Sequence, residues 1–223
     1  MADLSERLTT VREVVSDAAL QAGRDPGAIT TVVVTKFHPV SLIRELAALG
    51  VRDVGENRHQ DAEPKAAELA DLPLTWHFVG QLQSKKARQV RAYARVIHSI
   101  DRPSLVTALA STDADLDCFI QVNLTGDPER GGVAADQLDA LVATVLATSG
   151  LRLLGLMAVA PLNEEPRRAF AGVRELSERV RTMAPDADKL SMGMSSDFRE
   201  AILEGATHLR IGTAITGKRP QPG

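Results

Sequence analysis

Aromatic residues and cysteine are scarce in this 223-residue sequence, which holds one Trp, one Tyr, five Phe and one Cys. The lone Cys118 has no partner for an internal disulfide, and because it lies in an apolar segment we predict a buried structural thiol. No apolar run approaches the length that spans a bilayer, and the first residues lack the basic-then-apolar order of a secretory signal. We therefore expect a cytoplasmic protein with no membrane partner.

The charge pattern argues against nucleic-acid binding. The formal net charge is −3 at pH 7, whereas nucleic-acid-binding domains carry a basic footprint. One basic cluster stands out, but it lacks the interleaved aromatic side chains on which bases stack; it comprises Lys85, Lys86, Arg88 and Arg91. We interpret this cluster as the solvated face of a helix.

The composition is even along the chain, with 44% hydrophobic and 25% charged residues and no low-complexity segment. The length allows one large domain or two small ones. Because no shift in composition divides the chain, we predict a single domain over residues 1–223. Residues 1–28 would form an N-terminal helix and lead-in, residues 29–217 the body of the domain, and residues 218–223 a flexible tail.

Eight segments with strand character alternate with segments of helical periodicity, which predicts an α/β fold. The predicted strands cover Val32–Val34, Val51–Gly55, Leu74–Gly80, Arg95–Ile100, Leu116–Leu124, Leu151–Val159, Lys189–Met194 and His208–Gly212. Eight parallel strands close a (β/α)8 TIM barrel, with the extra N-terminal helix completing its outer ring. The main rival is a doubly wound open sheet, which we rank lower because no Gly-x-Gly-x-x-Gly follows a strand.

Capping residues and apolar spacing locate the helices between these strands. The first would begin after Asp3 and stop before Gly23, and the second would open at Pro39 and close at Gly50 in a left-handed conformation. Further helices are predicted over Ala66–Ala70, from Pro103 onward, through Leu138–Leu146, through Phe170–Val180 and over Asp197–Gly205.

Lys36 is the first candidate functional residue. It follows the buried run Val32–Val34, at the carboxyl end of the first strand. In parallel α/β folds this edge carries the chemistry, because each strand fixes a side chain at the mouth of the loops. The alternative is a lysine that extends to solvent or pairs with a carboxylate.

The loops after strands seven and eight are the usual phosphate-binding positions in this fold. Ser195 and Ser196 open a short helix after strand seven, while Gly212 permits close backbone approach and Thr213 adds a hydroxyl after strand eight. Ordinary helix capping explains each loop alone, but two such loops at these positions favour a phosphate site. A lysine facing a phosphate site suggests Schiff-base chemistry.

Arg210 lies on the mostly apolar last strand, so it needs a partner if it points into the barrel. The pyridine nitrogen of pyridoxal 5'-phosphate (PLP) would supply one, and a permanent cation there discourages protonation of that nitrogen. The alternative is an ion pair at the rim. The five histidines show no paired-ligand spacing and Glu56 is a lone carboxylate, so we expect no metal site.

Six sequence blocks together resemble the pyridoxal phosphate homeostasis protein family over nearly the whole chain. They are Val34–Lys36, Gly55–Arg58, Trp76–Lys86, Gly155–Ala158, Ser191–Asp197 and Arg210–Ile215. The resemblance implies one barrel like the N-terminal domain of alanine racemase, with PLP (vitamin B6) held as a Schiff base on Lys36. It also implies a carrier or regulator of the cofactor without an established catalytic reaction.

Carried over by position, the resemblance assigns the remaining contacts of the cofactor. Asn57 and His77 would lie near the ring, Met194 would line the pocket, and Arg210 would face the pyridine nitrogen. The phosphate would be held by Ser195, Ser196, Gly212 and Thr213. The expected partners are PLP, amino acids and apo-enzymes that use PLP, and the expected state is a monomer.

Two alternatives use the same lysine. An amino-acid racemase would need a second acid/base group on the opposite face of the substrate, and the only tyrosine, Tyr93, precedes strand four. A Schiff-base aldolase would use the lysine and the phosphate loops on a phosphorylated sugar.

Overall fold

The structure, a computed structural model, describes residues 3–127 and 130–218. Residues 1–2 of the lead-in and 219–223 of the expected tail lie outside this part. Eight parallel strands form a closed barrel in sequence order, with β8 paired to β1. The strands are β1 (Thr30–Val34), β2 (Asp53–Glu56), β3 (Thr75–Phe78), β4 (Val96–Ile100), β5 (Leu116–Gln121), β6 (Leu151–Met157), β7 (Lys189–Ser191) and β8 (His208–Ile211). The predicted TIM barrel is confirmed.

Helices connect successive strands and form the outer layer. They are α1 (Leu4–Gln21), α2 (Val40–Ala48), α3 (His59–Glu68), α4 (Ala87–Arg91), α5 (Pro103–Leu109), α6 (Leu138–Leu146), α7 (Pro166–Arg181), α8 (Phe198–Leu203) and α9 (Thr213–Thr216), with 3-10 turns at Pro26–Ala28 and Ser84–Lys86. Within the described residues no helix is long and apolar enough to cross a membrane.

The predicted start of α1 is confirmed by a reciprocal cap. The Asp3 carboxylate accepts the Glu6 N–H at 2.8 Å, and the Glu6 carboxylate accepts the Asp3 N–H at 3.0 Å. The buried face of α1 packs against α8 and α9. This extra helix therefore takes the place in the outer ring that was predicted for it.

Several predicted boundaries were wrong, each for a local reason. Strand β5 ends at Gln121 instead of Leu124, because the side chain of Asn123 accepts the N–H groups of Thr125 and Gly126 and turns the chain. Helix α3 begins at His59, well before the predicted Ala66. The prediction missed this start because the first turns of the helix are polar and carry no apolar periodicity. The short helix α9 was not predicted.

Two kinds of packing lie on the two sides of the sheet. The main hydrophobic core joins the outward faces of the strands to the helices. Inside the barrel, a small apolar cluster of Val96, Phe119 and Met157 adjoins polar side chains. The hydrogen bond between His98 on β4 and Ser191 on β7 joins strands that are not neighbours, so it crosses the barrel interior. The inside of this barrel is therefore unusually polar.

Cys118 is fully buried on β5, as predicted. Burial, together with the nearby Asp117 carboxylate, raises the pKa of its thiol to about 12. Because the thiolate is the reactive form, we expect no reaction with a disulfide reagent at pH 8 in the native protein and one reacting thiol per chain after denaturation. A colorimetric thiol count in buffer and in guanidinium checks this, and rapid modification of the native protein would contradict it.

Candidate functional site

The residues proposed from the sequence gather at the carboxyl rim of the barrel, with one exception. Because all eight strands are parallel, the segments after β1, β2, β7 and β8 open on the same face. Lys36 lies in the turn after β1 with its side chain exposed, and Asn57 follows β2. Ser195 and Ser196 follow β7, and Gly212 and Thr213 follow β8.

The backbone that carries Lys36 is held by a buried ion pair. The Thr35 hydroxyl donates to Glu56 Oε1 at 2.8 Å, and Lys65 Nζ donates to the same oxygen at 2.7 Å and to the Thr35 carbonyl at 3.1 Å. The Glu56 side chain is 1% exposed. Glu56 is therefore paired with a cation, and the residue before Lys36 is fixed through both its side chain and its carbonyl.

Asn57 leaves a buried acceptor without a partner. Its Oδ1 has no hydrogen bond among the described residues, although it is shielded from solvent. A side chain at Gly80 would collide with the Asn57 main chain, so glycine allows this close approach. A buried unpaired acceptor is costly, and a ligand at the rim would give it a donor.

The loops after β7 and β8 are joined to each other. The Ala214 N–H donates to Ser195 Oγ at 3.2 Å, and this bond holds the start of α9 against the loop after β7. Within the described chain no acceptor bonds the N–H groups of Gly212 or Thr213. These donors point to an anion site, and β8 pairs directly with β1, the strand that carries Lys36.

Gly212 has open space in front of it. A Cβ placed there would meet only the main-chain oxygen and Cβ of Val34, at 3.6 and 3.7 Å. Its φ is −106°, so positive φ does not explain this glycine. The sequence predicted that another group approaches the Gly212 backbone closely. No part of the described chain does so, which leaves a ligand as the group that could.

Met194 and Ser196 border a cavity of about 460 Å3, within the range of small-molecule pockets. The loops after β5, β6 and β7 line it, and Asp197 closes one side. The Asp197 carboxylate accepts the Met194 N–H at 2.6 Å, and burial raises its pKa. Met194 is thus held at the edge of this cavity, and its contact with the cofactor stays a prediction.

Arg210 points into the barrel and does not form the ion pair at the rim that was the alternative. Its Nη1 donates to Ser191 Oγ at 2.7 Å and its Nη2 to the Ala158 carbonyl at 2.8 Å. Its side chain is buried, which lowers the guanidinium pKa to about 10 and leaves the group charged at neutral pH.

His77 is the residue that the structure separates from the rim. Its Nδ1 lies 2.9 Å from His98 Nε2 and its Nε2 lies 3.0 Å from Asp53 Oδ1. Asp53 is the first residue of β2, so the ring reaches toward the amino-terminal end of the barrel. Both ring nitrogens are occupied, and the contact between His77 and a cofactor ring stays a prediction. Among the described residues, no group of three His, Cys, Asp or Glu side chains could hold a metal ion.

Sequence reasoning missed the supporting residues Lys65, His98, Ser191 and Asp53. Lys65 gave no signal, because an i+9 spacing to Glu56 has no local meaning. His98, Ser191 and Asp53 did carry a signal that could have been used. Each is a polar residue within a predicted strand, and buried polar side chains need partners.

Comparisons with known proteins show which family this sequence matches. The family model "Alanine racemase, N-terminal domain" matches residues 25–220. The pyridoxal phosphate homeostasis protein of Pseudomonas aeruginosa is 40% identical over 223 residues, covering 98% of this chain and 97% of the relative. The protein of that name from Escherichia coli is 38% identical over 229 residues, covering 98% of each.

Solved structures show the same likeness. PipY of Synechococcus elongatus with PLP bound superposes with a TM-score of 0.83 at 35% identity, covering 96% of this chain and all of PipY. Alanine racemase from Corynebacterium glutamicum gives a TM-score of 0.71 at 17% identity, covering 95% of this chain but 61% of the racemase. At that identity the racemase shares the fold alone.

Proposed function

This chain belongs to the pyridoxal phosphate homeostasis protein family, and on that premise we propose that it holds PLP as a Schiff base on Lys36 and exchanges it with amines or apo-enzymes. One observation carries the assignment of the site. The exposed Lys36 follows β1, on a backbone that is fixed through Thr35. The N–H groups of Gly212 and Thr213, which have no acceptor among the described residues, lie in the loop after β8, the strand paired with β1. An aldehyde with an anionic tail matches that pair of groups.

The described residues fit PLP chemically. The cofactor supplies an aldehyde that bonds reversibly to amines with loss of water. Lys36 offers the amine. The N–H groups of Gly212 and Thr213 offer hydrogen-bond donors to the phosphate, beside the Ser195 hydroxyl, which accepts the Ala214 N–H. The space before Gly212 leaves room for phosphate oxygens to approach the backbone.

The electrostatics of the site favour storage over catalysis. Arg210 is a buried cation anchored by Ser191 and the Ala158 carbonyl. Facing the pyridine nitrogen, it would keep that nitrogen unprotonated and weaken the ring as an electron sink. The relatives are named as homeostasis proteins, and we propose that this chain likewise catalyses no reaction of its own.

We expect negligible alanine racemase activity. Racemisation needs an acid/base group on each face of the substrate, and Tyr93 packs against the hydrophobic core with its ring 6.0 Å from His59. Burial raises the pKa of its hydroxyl well above the ordinary value, which disfavours proton abstraction at neutral pH. Chiral chromatography after incubation with L-alanine and PLP checks this. Formation of D-alanine that depends on Lys36 would contradict it.

An absorption spectrum tests the proposed function. Cofactor-free protein mixed with PLP should develop a visible band that borohydride bleaches, because reduction removes the conjugated C=N bond. A protein that stays colourless with excess PLP would contradict PLP binding and favour the sugar-phosphate aldolase. Addition of an amino acid should shift the band if the cofactor can be handed to other amines.

A further inference from the structure

An unbroken row of hydrogen bonds crosses the inside of the barrel from Arg210 to Asp53. Arg210 Nη1 is 2.7 Å from Ser191 Oγ, which is 2.7 Å from His98 Nδ1. His98 Nε2 is 2.9 Å from His77 Nδ1, and His77 Nε2 is 3.0 Å from Asp53 Oδ1. We call these five side chains the interior chain. It leads from the cofactor-facing cation to the amino-terminal end of the sheet, where the Asp53 side chain is 31% exposed.

The two ends fix the direction of the outer two bonds of the interior chain, and a neutral His77 fixes the two bonds between them. Arg210 can only donate, so Ser191 Oγ accepts from it, and an ionised Asp53 can only accept, so His77 Nε2 carries a proton. If His77 is neutral, its Nδ1 must accept the proton of His98 Nε2. His98 Nδ1 then accepts the Ser191 hydroxyl. Every donor meets an acceptor, and both histidines are neutral with the proton on Nε2.

The opposite direction leaves groups unsatisfied. It would require a His77 cation that donates to His98 and a His98 Nδ1–H that donates to Ser191 Oγ. That oxygen would accept two protons, and its own hydroxyl would have no acceptor among the described residues. It would also place a second positive charge inside the barrel with Arg210. Burial, and then the nearby His77, Arg210 and His208, lower the pKa of His98 well below its ordinary value, in agreement with a neutral His98 ring.

Aromatic rings pack against the histidines of the interior chain, and one carboxylate acts on its Arg210 end. Phe119 stacks on His98 with ring centroids 4.7 Å apart, and the His208 ring lies 6.3 Å from His98. Burial lowers the pKa of His208 to about 4, so it is neutral at pH 7. Lys189 and Asp117 act on His208 only at longer range. The Asp197 carboxylate acts on Arg210 and raises its pKa against the larger effect of burial, so a negative charge outside the interior chain supports the cation at its end.

We propose that Asp53, His77, His98 and Ser191 are positioning residues that orient the Arg210 guanidinium toward the pyridine nitrogen of PLP. Each member fixes the hydrogen-bond role of the next, so the Ser191 hydroxyl proton is committed to His98 and an Oγ lone pair is left facing Arg210. The proposal rests on the proposed function in its final link, that Arg210 meets the cofactor. The direction of the interior chain is independent of that link and can be measured without PLP.

Histidine tautomers in the cofactor-free protein test the direction. Long-range 1H–15N spectra of protein labelled with 15N-histidine, recorded at pH 7.5, should show Nε2–H and bare Nδ1 for His77 and His98, with signals assigned from His77→Gln and His98→Gln. An Nδ1–H tautomer at His98 or a cationic His77 at pH 7.5 would overturn the proposal. This result does not depend on whether the protein binds PLP.

Paired variants at Asp53 test the effect on the cofactor. Asp53→Asn keeps an acceptor oxygen, whereas Asp53→Leu has a similar shape and none. We expect Asp53→Leu to weaken PLP binding about tenfold and to shift the visible band, with Asp53→Asn close to wild type, since supporting hydrogen bonds act at this scale. Asp117→Leu is the matched control, because Asp117 also lies near a strand start but bonds Arg152 at the surface.

The outcomes separate the two proposals. If the wild type is yellow and Asp53→Leu matches Asp117→Leu in PLP affinity and band position, the positioning role of the interior chain is refuted. PLP binding as the proposed function is then unaffected. A wild type that takes up no PLP would refute the proposed function, while the tautomers would still report on the interior chain. If Asp53→Leu does not fold, the tautomer measurement and the Asp53→Asn spectrum decide.

Discussion

Lys36→Ala yields a protein that stays colourless with PLP but remains folded. Lys36 supplies the only covalent bond in the proposed site, and non-covalent contacts to phosphate cannot produce the conjugated C=N bond that absorbs in the visible. Its side chain is exposed in the turn after β1, so truncation removes no buried contact. We expect loss of the visible band with a change in unfolding free energy within about 0.5 kcal/mol, as is usual for exposed positions.

Lys189→Ala is the matched control for that experiment. Lys189 opens β7 at the amino-terminal end of the barrel and forms a surface ion pair with Asp188 at 3.1 Å. This variant removes a half-buried lysine from the opposite end of the sheet, so its band should match that of wild type. A yellow Lys36→Ala protein whose colour borohydride removes would place the amine elsewhere.

Lys65→Met is expected to destabilise the fold by about 3–5 kcal/mol, the usual cost of leaving one partner of a buried ion pair alone. Glu56 is 1% exposed, and its Oε2 already has no partner in the described chain. Without Lys65 the carboxylate keeps only the Thr35 hydroxyl. The midpoint of urea unfolding measures the loss. PLP binding should weaken too, because the Thr35 carbonyl loses its donor beside Lys36.

The double variant Glu56→Gln with Lys65→Met separates charge from packing. Neutralising Glu56 removes the unpaired charge, so the double variant should regain more than half of the stability lost in Lys65→Met. Lys65→Arg, which keeps the cation, should stay closer to wild type. Additive losses in the double variant would show that Lys65 acts through its packing and not through Glu56.

The elements that sequence reasoning located well are those with strong local signals. Asp3 with Glu6 marks the start of α1, Gly50 takes the positive φ expected of a helix-ending glycine, and β1 follows from consecutive valines. These features depend on neighbours in sequence. The eight-strand count then determined the barrel, and the barrel determined which loops share a face.

The parts that sequence reasoning missed depend on contacts between distant strands. Glu56 and Lys65 meet through the packing of α3, whose first turns show no apolar periodicity. His98 meets Ser191 across the barrel, a pairing set by closure and stagger of the sheet. His77 was assigned by resemblance, which gives a residue's neighbourhood but not where its ring nitrogens point.

The most direct test of this account is the site of covalent attachment. Protein mixed with PLP, reduced with borohydride and digested should carry the pyridoxyl mass on the peptide that contains Lys36, with no other lysine labelled to a comparable extent. Modification chiefly at Lys65, Lys85 or another lysine, or an unmodified Lys36 in a protein that turned yellow, would contradict it.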